Sequence, residues 1–322
     1  MENKYSKKYI IETGMGLQDV DHLKNSSYFV DESKKYIKGE ISLEELEKII
    51  DSYYKNKPKE EERTEEADKT SIRIAQLIED DSFVFSIGQL VSIHEHLFKG
   101  VYAHAGEFRT YNFTKQEWVL DGASVFYADH RLLKTTLQYD FDSEREFEYL
   151  GLSIDEIIAH LAGFISNIWQ VHPFEESNTR TTAVFVIKYL RSIGFRATND
   201  TFAKNAWYFR NALVRANYRN IHKHVYEDKS FLVRFLRNLL LDESNDLRNK
   251  DLHISKSSRT ILPYKESTVL ELIKSNPTIR LKEIADAIKV SPRTVDSLVA
   301  SLVGKGLIQR VGGKKSGHWE VK

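Results

Sequence analysis

The amino-acid sequence predicts a mainly α-helical protein, and three observations lead there. Apolar residues recur at three-and-four spacing through several long runs. Capping residues and glycines bracket those runs where helices start and stop. Strand-like patterning is confined to two short stretches, residues 109–126 and 308–321.

At 322 residues the chain has room for two or three modules and a sizeable core. Forty-seven basic and forty-seven acidic residues balance, so overall charge points to no partner. Cysteine is absent, which excludes disulfides, thiolate zinc sites and cysteine nucleophiles and fits a reducing compartment. The basic start, Met1 to Lys8, is followed by no apolar signal region, and no run is long enough to span a membrane; a cytoplasmic location is expected.

Residues 1–56 read as a small helical segment, with periodic runs from Asp31 to Lys38 and from Leu43 to Tyr54. Between them Ser42 and Glu45 form a capping-box pattern. From Lys55 to Lys69 the composition is almost wholly charged and reads as a solvated helix start or linker. The core is expected over residues 57–241. It opens with an amphipathic run from Ser71 to Ile78 and closes with helices from Ala206 to Tyr218 and Ser230 to Leu241. Residues 242–264 are polar and aperiodic, a linker, and 265–322 form a separate unit.

The chemistry is concentrated in His172-Pro173-Phe174-Glu175-Glu176-Ser177-Asn178-Thr179-Arg180-Thr181, between two helix-periodic runs, Glu156 to Trp169 and Thr182 to Ile193. Pro173 disfavours helical geometry at His172, so the first helix should end there. Ser177 and Asn178 are good N-caps, with Thr179 and Arg180 in the first turn of the next helix. A helix N-terminus offers unpaired N–H groups and a positive dipole end to phosphate, and Arg180 adds a planar fork of donors. Glu176 could hold Mg²⁺ whose shell is completed by substrate phosphates. His172 could take a proton from an incoming hydroxyl. The bland reading is an ordinary loop and helix cap.

The stretch resembles the signature of Fic-domain proteins, His-x-Phe-x-(Asp/Glu)-Gly-Asn-Gly-Arg-x-x-Arg, matched at His172, Phe174, Glu176, Asn178 and Arg180. The resemblance extends over roughly residues 65–240 and includes Ile93 to Phe98 and Tyr102 to Arg109, similar to the lead into the Fic flap. It implies a helical core that transfers a nucleotide monophosphate, usually AMP from ATP, to a Ser, Thr or Tyr hydroxyl of a target protein. By that resemblance His172 is the general base, Phe174 anchors the loop and Glu176 holds Mg²⁺. Asn178 then binds near the α-phosphate and Arg180 grips the β-phosphate, with Ser177 and Thr179 lining the nucleotide site.

Three departures qualify it. Ser177 and Thr179 replace two glycines, Ala183 stands where a second arginine would meet a γ-phosphate, and the lysine of the phosphate-transferring Doc type is missing near Thr179. A donor other than ATP therefore stays open. Residues 1–56 look like the antitoxin-type helices fused ahead of some Fic domains. Their inhibitory glutamate pattern is not met around Glu12, and the arginine it would pair with is Ala183, so no glutamate switch of that kind is expected.

Residues 109–126, with an Asp121-Gly122 turn, are expected to form a short β-hairpin flap. The resemblance makes this flap the docking place of the target protein, by strand addition. Asn217 and Tyr218 are candidates for a base pocket, against the simpler reading of half-buried core residues.

Residues 265–322 carry eleven Lys or Arg against six Asp or Glu, a net charge of +5. Three helices followed by a hairpin with a Gly/Lys tip look like a winged helix-turn-helix, with Ser291 as N-cap and Pro292 opening the third helix. Arg293, Thr294 and Ser297 would face the major groove of double-stranded DNA, and Lys314 and Lys315 a phosphate or the minor groove. Pairing on half-sites would make a homodimer, which nothing in the sequence requires.

The expectation is a protein adenylyltransferase with Mg²⁺ as cofactor and ATP as substrate, joined to a unit that binds DNA. Two alternatives are kept: a transcription regulator whose Fic fold senses nucleotide, and a Fic enzyme with another donor.

Overall fold

The computed structural model describes residues 5–55, 63–223, 225–254, 264–304, 306–312 and 317–321. The chain divides into two compact units, one of residues 1–219 and 227–253, the other of residues 220–226 and 254–322.

Among the described residues, the named elements of the first unit are all helices. Helix α1 (Lys7–Gly16) is capped by Ser6, whose Oγ accepts from the Tyr9 N–H, and continues into a 3-10 turn, Leu17–Asp21. Its sequence is too polar for a clear periodic signal, and reading Met1 to Lys8 as a simple basic start missed it. Ile10, Ile11, Leu17 and Val20 are nonetheless buried, because α1 lies against a later helix on each side. The approach is close: a Cβ on Gly14 would fall 2.2 Å from the Ser71 carbonyl oxygen, and one on Gly16 would fall 2.1 Å from that of Ala203. Any side chain at either position would push the helices apart.

Helices α2 (Ser27–Lys38) and α3 (Leu43–Lys55) follow, and the Ser42–Glu45 capping box between them forms as expected. Helix α4 (Thr64–Glu79) starts inside the charge run. That run is not simply solvated: Glu66 is buried, for a reason given with the site. Helices α5 (Ile87–Phe98) and α6 (Leu133–Arg145) flank the segment expected to be a flap.

Helix α7 (Ile154–Val171) begins with a capping box between Ser153 and Glu156, a feature that typically contributes about 1 kcal/mol. Helix α8 (Asn178–Ser192) is the most enclosed, buried from Asn178 to Leu190, and Gly194 ends it at φ +100° as expected. Phe83, Phe85, Phe141, Phe164, Phe185 and Tyr189 pack ring on ring between α6, α7 and α8. Helix α9 (Thr201–Ala216) packs on α1, and α10 (Ser230–Leu241) packs on α9 and α7.

The hairpin expected over 109–126 does not form; among the described residues this segment holds no strand. It takes a 3-10 turn, Trp118–Leu120, and then the Asp121-Gly122 turn with φ +53° and +81°. The donors a ladder would need are diverted. The Lys115 N–H goes to Ser124 Oγ at 3.2 Å, and the backbone bonds that cross are confined to Glu117, whose N–H donates to the Ala123 carbonyl at 3.0 Å and whose carbonyl accepts from the Gly122 N–H at 3.1 Å.

The second unit contains α11 (Tyr264–Ser275), α12 (Leu281–Ala287) and α13 (Pro292–Gly304), then β1 (Ile308–Val311) paired antiparallel with β2 (His318–Val321), Ile308 opposite Val321. Its own core gathers Val269, Ile273, Ile284, Val295, Leu302 and Trp319. Ser291 Oγ accepts from the Thr294 N–H at 3.2 Å, so the expected cap and the Pro292 start are both present. This three-helix-plus-hairpin order is the winged-helix arrangement the sequence suggested.

Among the described residues no helix is long and apolar enough to cross a membrane.

Candidate active site

The loop between α7 and α8 is fixed by buried contacts before any ligand is considered. His172 ends α7 in left-handed geometry at φ +50°, and Pro173 after it bars the helix from continuing. Phe174 is buried and stacks on His94, with ring centres 3.8 Å apart. His94 Nδ1 accepts from the Gly106 N–H at 2.9 Å, so its Nε2–H faces the Glu176 carbonyl at 3.3 Å. Burial holds the His94 imidazole neutral, its pKa lowered to about 3. Arg109 ties the other side: its Nε donates to the His172 carbonyl at 2.7 Å, and its backbone N–H to that of Pro173 at 2.9 Å. His94 and Arg109 lay within the segment that carried the resemblance, but without an assigned role.

Asn178 closes the loop on itself. Its Oδ1 accepts from the Phe174 N–H at 2.9 Å, and its Nδ2 donates to the Phe174 carbonyl at 2.7 Å. The amide assigned by resemblance to the α-phosphate region is thus committed to backbone. Thr179 Oγ1 accepts from the Trp169 indole N–H at 2.9 Å, so it too is engaged inside.

Ser177 does not cap α8 as expected. It stands at φ +60° with no side-chain cap bond, because its hydroxyl is drawn to Arg180 Nη2 at 2.6 Å and faces Tyr102 Oη at 3.2 Å. The left-handed backbone explains in physical terms why glycine suits this position. With Ser177 making no cap bond, the first-turn N–H groups of α8 lack that partner, the kind of helix end that suits an anion.

The imidazole of His172 is 3 % exposed, stacked on Tyr127 at 4.0 Å and edge-on to Trp169 and Phe113. Its Nδ1 lies 3.2 Å from the Trp169 carbonyl, which can only accept, so Nδ1 carries the hydrogen and Nε2 keeps its lone pair. Burial, reinforced by the charge of Lys115, pushes its pKa well below 6.5. The ring is therefore neutral at neutral pH.

Arg180 is completely buried. Its Nη2 donates to Glu66 Oε1 at 2.6 Å, its Nη1 donates to Gln18 Oε1 at 2.9 Å, and Asp21 Oδ2 lies 2.9 Å from Nη2 in ion contact. Glu66 is also gripped by Arg63 through two bonds of 2.7 Å and by the Tyr102 hydroxyl at 2.6 Å. Burial alone would raise the Asp21 carboxyl, but Arg180, with Lys115, Arg210 and Arg63 beyond it, holds it below the ordinary range. Glu66 is likewise lowered, with Arg63 and Arg180 outweighing its burial. Nothing in the sequence gave a role to Gln18, Asp21, Glu66 or Tyr127, and Tyr102, like His94 and Arg109, lay in the segment that carried the resemblance without an assigned role. Glu12, the residue weighed as a switch, turns outward to Lys8 at 3.8 Å.

Glu176 is half-exposed, and Lys115 Nζ is 3.5 Å from its Oε2. Among the described residues no cluster of three His, Cys, Asp or Glu side chains could enclose a metal. A single half-exposed carboxylate such as Glu176 suits an ion that takes most of its ligands from phosphate and water, as Mg²⁺ does. Asn217 bonds with Ser166 through its Oδ1 at 3.1 Å and its Nδ2 at 3.2 Å, the latter to the backbone carbonyl, so it braces α7 rather than lining a base pocket.

In the second unit Arg293 and Ser297 are exposed on the face of α13 opposite Val295 and Val299, and Thr294 is half-buried. Lys314 and Lys315 lie outside the described residues.

A loop carrying a histidine and a carboxylate, an arginine in the first turn of the helix that follows, and a separate winged helix make this a mainly helical protein of two units. Residues 84–190 match the Fic/DOC family and residues 262–315 match the MarR family, so the chain carries a Fic domain followed by a winged helix of MarR type. A crystal structure of a Fic family protein from Desulfovibrio desulfuricans aligns over 98% of this chain and 87% of its own, at 12% identity and a TM-score of 0.44. No curated protein matches the chain.

Proposed function

We propose that the chain is a Fic-type nucleotidyltransferase that moves the monophosphate of a nucleoside triphosphate, ATP in the first instance, to a hydroxyl of a target protein. The observation that carries this is the free Nε2 of a neutral, immobilised His172, within the nine residues from His172 to Arg180 that also include Glu176. The acceptor oxygen attacks the α-phosphorus, the bond from that phosphorus to the bridging oxygen breaks, and pyrophosphate leaves. The hydroxyl proton passes to His172 Nε2. Mg²⁺, held by Glu176, would supply positive charge to the phosphates. Tyr127, Phe113 and Trp169 hold the imidazole in one orientation. The target would be received along residues 109–126, beside a cleft of about 360 Å³ where Phe126 is 82 % exposed.

The test is incubation of the full chain with α-labelled ATP, GTP, CTP and UTP and a cell extract, wild type beside a His172 variant. Label on protein that depends on His172 is the expected result; equal label from both would overturn it.

For phosphate to reach Arg180, the guanidinium must exchange Asp21 for the incoming anion. Asp21→Asn removes the competing charge and should tighten triphosphate binding up to about 10-fold, read by equilibrium titration. That same closure is what favours the second reading, a regulator whose Fic fold senses nucleotide without transferring it. Retention of DNA-linked function in the His172 variant would support that reading.

For the winged helix the proposal is double-stranded DNA. Arg293→Ala should weaken binding and reduce the slope of log affinity against log salt by about 1. An unchanged slope would count against a phosphate contact there.

A further inference from the structure

The cations around Arg180 differ in how firmly they are held. Arg63 makes two bonds of 2.7 Å to Glu66, and Arg210 makes bonds of 2.6 and 3.1 Å to Glu117. Arg109 is locked on the backbone carbonyls of His172 and Tyr111, each at 2.7 Å. Arg180 is enclosed by Glu66, Gln18 and Ser177. Lys115 has only a 3.5 Å contact with Glu176, with its ammonium 5.6 Å from the centre of the Phe113 ring. Its backbone is anchored, through the bond to Ser124, so the side chain can swing while its root stays in place.

Two further observations fix what Lys115 faces. Position 183, one turn into α8, is a fully buried alanine, so this helix brings a single cation to the anion site. The positive charge of Lys115 also bears on both the Asp21 carboxylate and the His172 imidazole. Its partner Glu176 is the carboxylate that suits a divalent ion. A metal and an ammonium cannot both neutralise one carboxylate at full strength, so occupancy of Glu176 by a metal releases Lys115 toward the nearest large negative charge.

We propose that Lys115 is a donor-binding residue whose ammonium leaves Glu176 for the terminal phosphates of the bound nucleotide, supplying the cation that position 183 does not. This rests on the nucleotide-transfer reading above. It makes Lys115 a determinant of triphosphate over monophosphate binding, placed on the flap segment rather than on the loop that carries the signature. An ordinary surface ion pair with Glu176 would instead add little to stability and nothing to nucleotide preference.

The experiment is equilibrium binding of ATP, ADP and AMP to the full-length wild type, Lys115→Ala and Lys115→Arg, each with and without Mg²⁺. Lys115→Ala should weaken ATP about 10-fold or more, ADP less, and AMP by less than about 2-fold. The ATP loss should be larger with Mg²⁺ than without, and Lys115→Arg should restore most of it. Equal affinities in wild type and Lys115→Ala, or an equal loss for all three nucleotides, would overturn the proposal while leaving transfer itself intact. Failure of the wild type to bind ATP, GTP, CTP or UTP would overturn the parent reading, and this one with it.

Discussion

His172→Asn should lower nucleotide transfer about 10²- to 10⁴-fold while leaving nucleotide affinity within about 2-fold of wild type. Asparagine is chosen because position 172 stands at φ +50°, which asparagine tolerates better than most residues, and because it offers no base. Single-turnover labelling and equilibrium titration separate the two effects. A variant that labels targets at the wild-type rate would remove the base from the mechanism. The pH dependence has a definite sign. His172 must be unprotonated to accept the proton, and burial places its pKa well below 6.5, so the rate should stay level from neutral pH to below 6.5 and decline only in stronger acid. A limb centred at 6.5 would mean a solvated imidazole.

Arg180→Ala should be the most damaging substitution to folding, costing about 3–5 kcal/mol because it leaves the carboxylates of Asp21 and Glu66 facing each other without their shared cation. Chemical denaturation should show an earlier midpoint. The same alanine in an Asp21→Asn, Glu66→Gln background should cost clearly less, since no uncompensated charge remains; an equal cost would assign the loss to packing on Phe98 instead. Both carboxyls are lowered in the folded protein, so their stabilisation is complete above about pH 5 and is lost as pH falls through the lowered values. The difference between wild type and Arg180→Ala should therefore narrow in acid.

What could be read in advance follows from how local each cause is. Helices α3, α7, α8 and α10 announce themselves because one broad face is apolar at helical spacing, and Ser42, Ser153 and Gly194 mark their ends. The winged-helix order was legible for the same reason, with Ser291 and Pro292 opening α13. Helix α1 was missed because Ile10 and Ile11 are too few to mark an apolar stripe, and the close approach it makes at Gly14 and Gly16 leaves no periodic signal. Glu66 looked solvated because its partner, Arg180, is remote in sequence, and a charge run does not reveal which member turns inward. The flap was misjudged because β-propensity says nothing about donors already taken by Ser124 or a carboxylate held by Arg210. At the site, the residues to watch were legible in His172 to Arg180; that Asn178 and Thr179 brace the loop depends on contacts with Phe174 and Trp169 that only the folded chain reveals.

The near-contact of Gly14 and Gly16 with the carbonyls of Ser71 and Ala203 bears on how this protein can be engineered or cleaved. A helix wedged that tightly is not a removable plug: trimming the N-terminal segment to unmask Arg180 would strip α4 and α9 of a packing partner and yield aggregate instead of an unleashed enzyme. What reaches Arg180 from this segment is not α1 but the five residues after it, Leu17–Asp21, through Gln18 and Asp21, so substitutions at those two side chains can alter the arginine's surroundings while α1 stays seated.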